Sequence, residues 1–438
     1  MAASVISNLG DGVGVIAYPW LASAVTRNPI LIAGVAAAQR LPWLLFTLPA
    51  GVITDRNDRR RLMVGANAVR AVLTLAVAGA VLLRQGSLPT PDQVAGGRAA
   101  GLAADLVEST DVLLYAVIVA ATLLLGMAEV LYDNSAQTFM PAIVDRSNLE
   151  KANGRLWSAE MVANNFVGPP LAGLLLAIAF SLPFFVDAAT FALSAALIAV
   201  IVAERRVRPP AANTRSRSWV TEAKEGFVWL WRHPLLRPLA IVLGMINALF
   251  NGTMAVMVLF AQEVLDTSST EFAILMTGAA FGGVIGGWTA SRLSQWFGEG
   301  PSLWLTIVAG GAVNIITGLV SQWPIVWLGF LISTVFAVLW NVITVSFRQT
   351  IIPDDLLGRV NSVYRLFGWG MMPIGAIIGG VIVTVAEGFG ADRELSLRMP
   401  FLLLGAGHFL LMVYAAPRLT SAKFEAARIE AAAKGNLD

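Results

Sequence analysis

The sequence predicts an all-α membrane protein: twelve transmembrane helices in two pseudo-symmetric six-helix bundles. Three observations predict it. Of 438 residues, 57% are hydrophobic and 13% charged, with a mean hydropathy of +0.71, a balance foreign to soluble multi-domain chains. The apolar residues gather into twelve runs, most of them near the about 20 residues that cross a bilayer as a helix. Matching motifs recur at matching places in the two sets of six.

The runs fall at 5–25, 29–54, 62–84, 112–136, 158–179, 182–203, 237–262, 270–293, 302–320, 324–347, 361–386 and 399–417. Alternate connections then lie on opposite sides of the membrane. One side, with the C-terminal tail, collects 23 Lys and Arg; the other holds five, Arg27, Arg84, Arg98, Arg393 and Arg398. Because basic loops stay inside, both termini are expected in the cytoplasm, in a multi-pass protein of the cell membrane. Ala22-Ser23-Ala24 resembles a signal-peptidase site, but no basic residue precedes the first run, so a retained first helix is expected. The chain has no Cys and two distant His, which leaves no thiolate or His-based metal site to expect and no cofactor. Nothing implies nucleic acid.

The internal repeat sets the domain plan. Gly51-x-x-x-Asp55-Arg56 returns as Gly287-x-x-x-Ser291-Arg292, and Gln137-Thr138-x-x-Pro141 returns as Gln349-Thr350-x-x-Pro353. The interval between the two motifs is 24 residues longer in the first half. Residues 86–110 supply the excess, with Pro89, Pro91 and Gly96-Gly97 but no helical apolar stripe; an external loop insertion is expected. The plan is therefore an N-terminal bundle at 1–203, a cytoplasmic linker at 204–236, a C-terminal bundle at 237–417 and a cytoplasmic tail at 418–438. In the linker, Trp219, Ala223, Phe227, Leu230 and Trp231 recur at helical spacing, which predicts an amphipathic helix on the membrane surface in contact with lipid. The Ala-rich tail with mixed charge predicts an exposed helix.

Between the second and third runs, six of seven residues from Asp55 to Arg61 are ionisable. Such a charge burst between apolar runs reads as a tight cytoplasmic turn. The run Gly51 to Arg60 resembles the loop signature G-x-x-x-D-R-x-G-R-R of the major facilitator superfamily, with Asp58 where the family has Gly. Gly168-Pro169-Pro170-Leu171-Ala172-Gly173 in the fifth run resembles that superfamily's exporter motif, carried here by Gly168, Pro169 and Gly173. With Gly10-Asp11-Gly12 and Tyr18-Pro19-Trp20, the chain is most similar to the drug:proton antiporter branch containing macrolide, tetracycline and siderophore exporters. The resemblance covers essentially the whole chain. It implies a gate in which Gly51 permits close helix approach, Asp55 and Arg59 tie the second span to its neighbours, and Asp133 is the fourth-span partner of Arg59 or Arg70. Arg56, Gly287 and Arg292 complete the gating set, whereas Arg60 and Arg61 are expected only to fix orientation.

Ionisable groups inside spans are costly and face a cavity or a partner. Asp11 lies between two glycines in the first run. Glu129 and Asp133, four residues apart, share one helix face, and Glu129 lies about 18 Å along the helix from Pro141, near mid-membrane. Asp11 and Glu129 are the expected proton-coupling groups. Arg40 has three readings: displaced compensation for the Arg that related exporters carry in the fourth span, a contact for an anionic substrate group, or a structural ion-pair member. Asn164, Asn165, Asn247 and Asn251 are cavity candidates, with interhelical hydrogen bonding the alternative. Trp20, Trp157 and Trp340 are among the candidates for an apolar lining. Asp187 and Glu160 read as helix-end groups, His408 as a packed histidine, and the glycines of the eighth and eleventh runs as rocking surfaces.

No nucleophile with a base, metal cluster or phosphate loop is present, so an enzyme is not expected. The expectation is a monomeric, proton-coupled exporter of amphipathic small molecules such as drugs or siderophores, alternating access by a rocker-switch motion. A lysophospholipid or other lipid transporter of the same fold, without strict proton coupling, is the alternative.

Overall fold

The computed structural model describes residues 1–84, 86–90, 93–94, 110–144, 149–201 and 219–433. Most of the 86–110 insertion and the linker before Trp219 lie outside the described residues. Among the described residues, ten helices are long and apolar enough to cross a membrane. The first two expected spans are the exceptions. Helix α1 (Ala2–Val25) is continuous, but Ser4, Ser7, Asn8 and Asp11 lower its apolar content. The expected span 29–54 is two helices, α2 (Pro29–Leu45) and α3 (Thr47–Arg56), broken at Phe46 with φ −103° and ψ −10°. The break has a covalent cause: Pro49 has no N–H for the Leu45 carbonyl and its ring crowds that oxygen.

The first half continues through α4 (Arg59–Leu83), α5 (Val112–Ile143), α6 (Leu149–Met161), a π-helix (Val162–Val167), α7 (Gly168–Ile178) and α8 (Leu182–Val200). Then come α9 (Trp219–Arg232), α10 (Leu236–Glu263), α11 (Ser269–Phe297), α12 (Glu299–Leu319), α13 (Trp323–Ile351), α14 (Asp354–Gly388), α15 (Arg393–Ala415) and α16 (Ser421–Ala433).

Contacts divide the chain into two compact units. The first joins residues 1–207 with 255–277 and 392–397, and the second holds the remainder. Within the first, α4 packs on α5 and α8, α2 packs on α5, and α1 is embraced by α7, α8 and the π-helix. Trp20, expected to line a cavity, is instead fully buried, with its ring 5.4 Å from that of Phe272. At the end of α1, Arg27 is 1% exposed. It donates to Gln262 Oε1 and to the Val94 carbonyl at 3.1 Å, and Nη1 lies 3.5 Å from Glu263 Oε1. Glu263 also receives Arg393, from Nε at 2.9 Å and Nη2 at 3.1 Å.

In the second unit, α9 forms where the linker pattern predicts it, and part of its apolar face packs on α14 while Phe227 and Trp231 keep exposed surface. Gly226 abuts the Arg359 backbone, Glu225 pairs with Arg359 at 2.9 Å, and Phe227 and Trp231 stack near Phe367. The tail helix α16 is also docked rather than exposed throughout: Phe424 is fully buried 4.5 Å from Phe347, and Arg428 pairs with Glu299. The glycine rails expected as rocking surfaces are close-packing seams inside this unit. Gly278, Gly282 and Gly286 face α13, while Gly368, Gly375 and Gly379 face α10. Trp340, another expected lining residue, is buried in the core of this unit.

Candidate coupling and substrate site

The exporter-like motif positions α1. Pro169 and Pro170 lack N–H groups, so the Asn165 and Phe166 carbonyls lose their α-helical donors. The chain answers with a π-turn in which the Gly168 N–H reaches back five residues to the Ala163 carbonyl. Two glycines then bring backbones together. A Cβ on Gly168 would sit 2.6 Å from Gly12 Cα, and one on Gly12 would strike the Asn164 carbonyl. Gly173 similarly admits the start of α11, where Ser269 Oγ donates to the Gly173 carbonyl at 3.0 Å.

This contact holds α1 with Asp11 turned toward α4, where Arg70 Nη2 donates to Asp11 Oδ1. Arg70 is 2% exposed. Its Nη1 donates to Ser7 Oγ at 3.3 Å and Asn67 Oδ1 at 3.4 Å, and the guanidinium carbon lies 3.9 Å from the centre of the Phe191 ring. Asn67 is held by Ser194 at 2.9 Å. The Arg70 charge acts on Glu129, Asp187 and Asp133 as well as on Asp11. Asp133 feels Glu129, Asp11, Arg70 and Glu160, and Glu129 feels Asp11, Arg70 and Arg40. The structure therefore unites the two expected coupling acids, Asp11 and Glu129, around a cation on the third expected span. Asp11, rather than Asp133, closes the ion pair with Arg70. Arg40 is exposed on α2 and reaches Glu129 only through its field.

Other candidates separate. Asn164 donates to Asn8 Oδ1 at 3.5 Å, and Ser4 donates to Glu160 at 2.6 Å, forming a polar seam between α1 and the fifth expected span. Asn165 donates to the Met161 carbonyl on its own helix. In the second unit, Asn247 reaches the Gly368 carbonyl at 2.9 Å and Asn251 the Asn247 carbonyl at 2.9 Å, which is the interhelical and intrahelical alternative rather than a free cavity lining. His408 is buried and bonded to the Leu404 carbonyl, as a packed histidine should be.

Around the charged turn, Asp58 caps α4 by accepting from the Arg61 N–H at 3.0 Å. That capping role explains an Asp where the loop signature has Gly. Arg60, expected only to fix orientation, instead donates to the Ile198 and Ala199 carbonyls that end α8. Thr54 and Ser135 hydroxyls lie 3.3 Å apart and tie α3 to α5. Open space surrounds Gly51 and Gly287, so neither makes the close helix approach expected of it. Asp55 lies in the last turn of α3, with its side chain outside the described part; Arg56 and Arg292 are exposed and Arg59 is half-buried.

Asp187 lies deeper than its place near a helix end suggests. Read as a helix-end group, it is 3% exposed on α8, and its Oδ1 has no hydrogen-bond partner. The available signal was its isolation within the otherwise apolar Leu182-Pro183-Phe184-Phe185-Val186 to Val200 run.

Between α1, α6 and the π-helix, Val5, Ile6, Leu9, Ala159, Val162 and Val167 line an open, largely apolar recess of about 830 Å³, whose lining includes Arg155 but none of the acids around Arg70. Its size lies in the range of small-molecule sites.

A family model for the Major Facilitator Superfamily matches residues 1–376. The chain belongs to this superfamily. It is a membrane transporter rather than an enzyme. It is 25% identical over 417 residues to the multidrug efflux pump Tap of Mycolicibacterium fortuitum, covering 92% of each chain. Tap of Mycobacterium tuberculosis is 25% identical over 410 residues, covering 92% of this chain and 90% of that one. Among solved structures, the nucleoside transporter NupG matches with a TM-score of 0.65 at 12% identity, covering 97% of this chain and 98% of that one. A bacterial homologue of the iron transporter ferroportin matches at 0.64 and 15%, covering 94% and 97%. These structural likenesses show the fold.

Proposed function

We propose that the chain is a proton-coupled exporter of amphipathic small molecules of the drug class, with both termini in the cytoplasm. The observation that carries this reading is the buried Asp11–Arg70 ion pair, with Glu129 in the same field; α1, which supplies Asp11, also lines the apolar recess through Val5, Ile6 and Leu9. An acid held by a buried cation is costly to protonate and costly to leave unpaired, so its protonation can be tied to a change of conformation. An apolar wall with Arg155 in its lining suits an amphipathic cargo. The similarity to Tap, named as a multidrug efflux pump, supports the same reading.

A drug-susceptibility panel on expressing cells would select the cargo. In proteoliposomes that cargo should then provoke proton movement at constant external pH, and Glu129→Gln should abolish the coupled movement while protein yield stays normal. Cargo flux without proton movement, or undiminished coupling in Glu129→Gln, would refute the antiport reading.

For the cytoplasmic turn, we propose a latch in which Asp55 and Arg59 form contacts in one state and lose them in the other. Asp55→Asn should insert normally and transport more slowly; transport at the parental rate would leave the turn an orientation signal only.

A further inference from the structure

Behind α1, on the side away from the recess, polar atoms are buried without partners. Asp187 Oδ1 and Arg70 Nε lack a hydrogen-bond partner, and the Tyr18 and Thr74 hydroxyls face each other beside them. Such atoms are costly to bury, and in a native protein each calls for a reason. They are also neighbours in charge and space. Thr74 lies one helical turn from Arg70 on α4, and Phe191, whose ring carries the Arg70 guanidinium, lies one turn from Asp187 on α8. Tyr18 packs edge-on against Phe184 at 5.0 Å.

The backbone of α1 is cut away at this place. A Cβ on Gly10 would collide with Asp187 Oδ1 and Thr190 Oγ1, and one on Gly14 would touch Asp187 Oδ2 at 3.9 Å. The two glycines, one turn apart, form a notch that accepts the Asp187 carboxyl beside the residue preceding Asp11. Arg70 thus has an acid engaged at Nη2 and a second acid nearby, while its Nε donor is unspent.

We propose that Asp187 is a second counter-ion for Arg70, set behind α1, which balances the guanidinium when Asp11 takes up a proton. When Asp11 gains an O–H bond from a proton delivered by water, its ion pair with Arg70 is lost. A guanidinium 2% exposed cannot then be left bare, since breaking a buried pair by removing one partner is strongly destabilising. Arg70 has no need to leave its place on Phe191. The charged and titratable groups facing this point are Asp11 and Tyr18 from α1, Arg70 from α4, Glu129 and Asp133 from α5, and Asp187 itself from α8. Asp187 is the acid among them that sits in the notch, within the field of Arg70 and one turn from the Phe191 ring that carries the guanidinium.

The inference rests on the coupling reading for its role in transport, but its test does not. Asp11→Asn mimics the protonated acid, and Asp187→Asn keeps shape while removing charge. Thermal unfolding of the purified protein in detergent should show each single variant modestly destabilised. The double variant should lose distinctly more than the sum of the two, because Arg70 then has neither counter-ion. Adding Arg70→Met should recover much of that loss. Where a variant fails to accumulate, the Arg70→Met background must restore its accumulation. Additive losses, or no recovery in the Arg70→Met background, would overturn the proposal, whatever the outcome of the proton-flux experiment.

Discussion

Replacing Glu263 by Ala should destabilise the protein by about 3–5 kcal/mol, the cost of breaking a buried ion pair from one side. Glu263 is 6% exposed and accepts two hydrogen bonds from Arg393 while lying 3.5 Å from Arg27. Its removal leaves two guanidinium groups facing each other. Burial first, and then Arg393, push the Arg27 guanidinium below its ordinary value, while Glu263 pulls it back. The Ala variant loses the stabilising member of that balance. Glu263→Gln keeps an acceptor and should fall between. Arg27→Met combined with Glu263→Met, which removes both opposed charges near Gln262, should cost less than Glu263→Ala alone. Denaturant titration followed by the fluorescence of the 13 tryptophans measures all three. A Glu263→Ala protein as stable as the parent would mean that water reaches the cluster.

This cluster also marks the limit of what the sequence discloses. Arg27 and Arg393 were visible as two of five arginines on the sparsely charged side, and that count oriented the helices without saying that either residue is buried. Their partners are 236 and 130 residues away along the chain, and no local period connects such positions. The same holds for Arg70 and Asp11, 59 residues apart: the need for a partner was legible, but not its identity.

What was legible had a local cause. Apolar run length set the spans, because the bilayer imposes one length on all of them. Of the two exceptions, the break at Phe46 also has a local cause in Pro49, and a helix-breaking reading of that proline would have found it. The Gly168-Pro169-Pro170 motif was recognisable by resemblance, whereas its physical consequence, a π-turn seated on Gly12, needed the packing of α1 to appear. Helices α9 and α16 were predicted from their composition. Their docking was not, because an amphipathic stripe reports that a face is to be covered without saying by what.

Asp11→Asn should uncouple transport while leaving the fold standing. With one proton exchanged per cargo molecule, a pH gradient of one unit supports about a tenfold cargo gradient, and the variant should bring that ratio to about one. Exchange of labelled for unlabelled cargo at equal pH should persist, because it requires the conformational change but no net proton transfer. The two measurements separate coupling from binding: a variant that simply cannot hold cargo loses both. Undiminished accumulation against the gradient would show that Asp11 is a structural partner of Arg70. Survival of the fold is the more demanding part of the expectation. Asn at position 11 keeps the hydrogen bond but not the charge that Arg70 now meets. In an apolar surrounding, that loss alone would be expected to cost as much as breaking the Glu263 cluster. Arg70 nevertheless remains over the Phe191 ring, with Ser7 and Asn67 accepting from Nη1 and the Asp187 carboxyl within its field. An Asp11→Asn protein that is stable yet uncoupled is therefore the behaviour expected of a guanidinium with two counter-ions, only one of which exchanges its proton with the transport pathway.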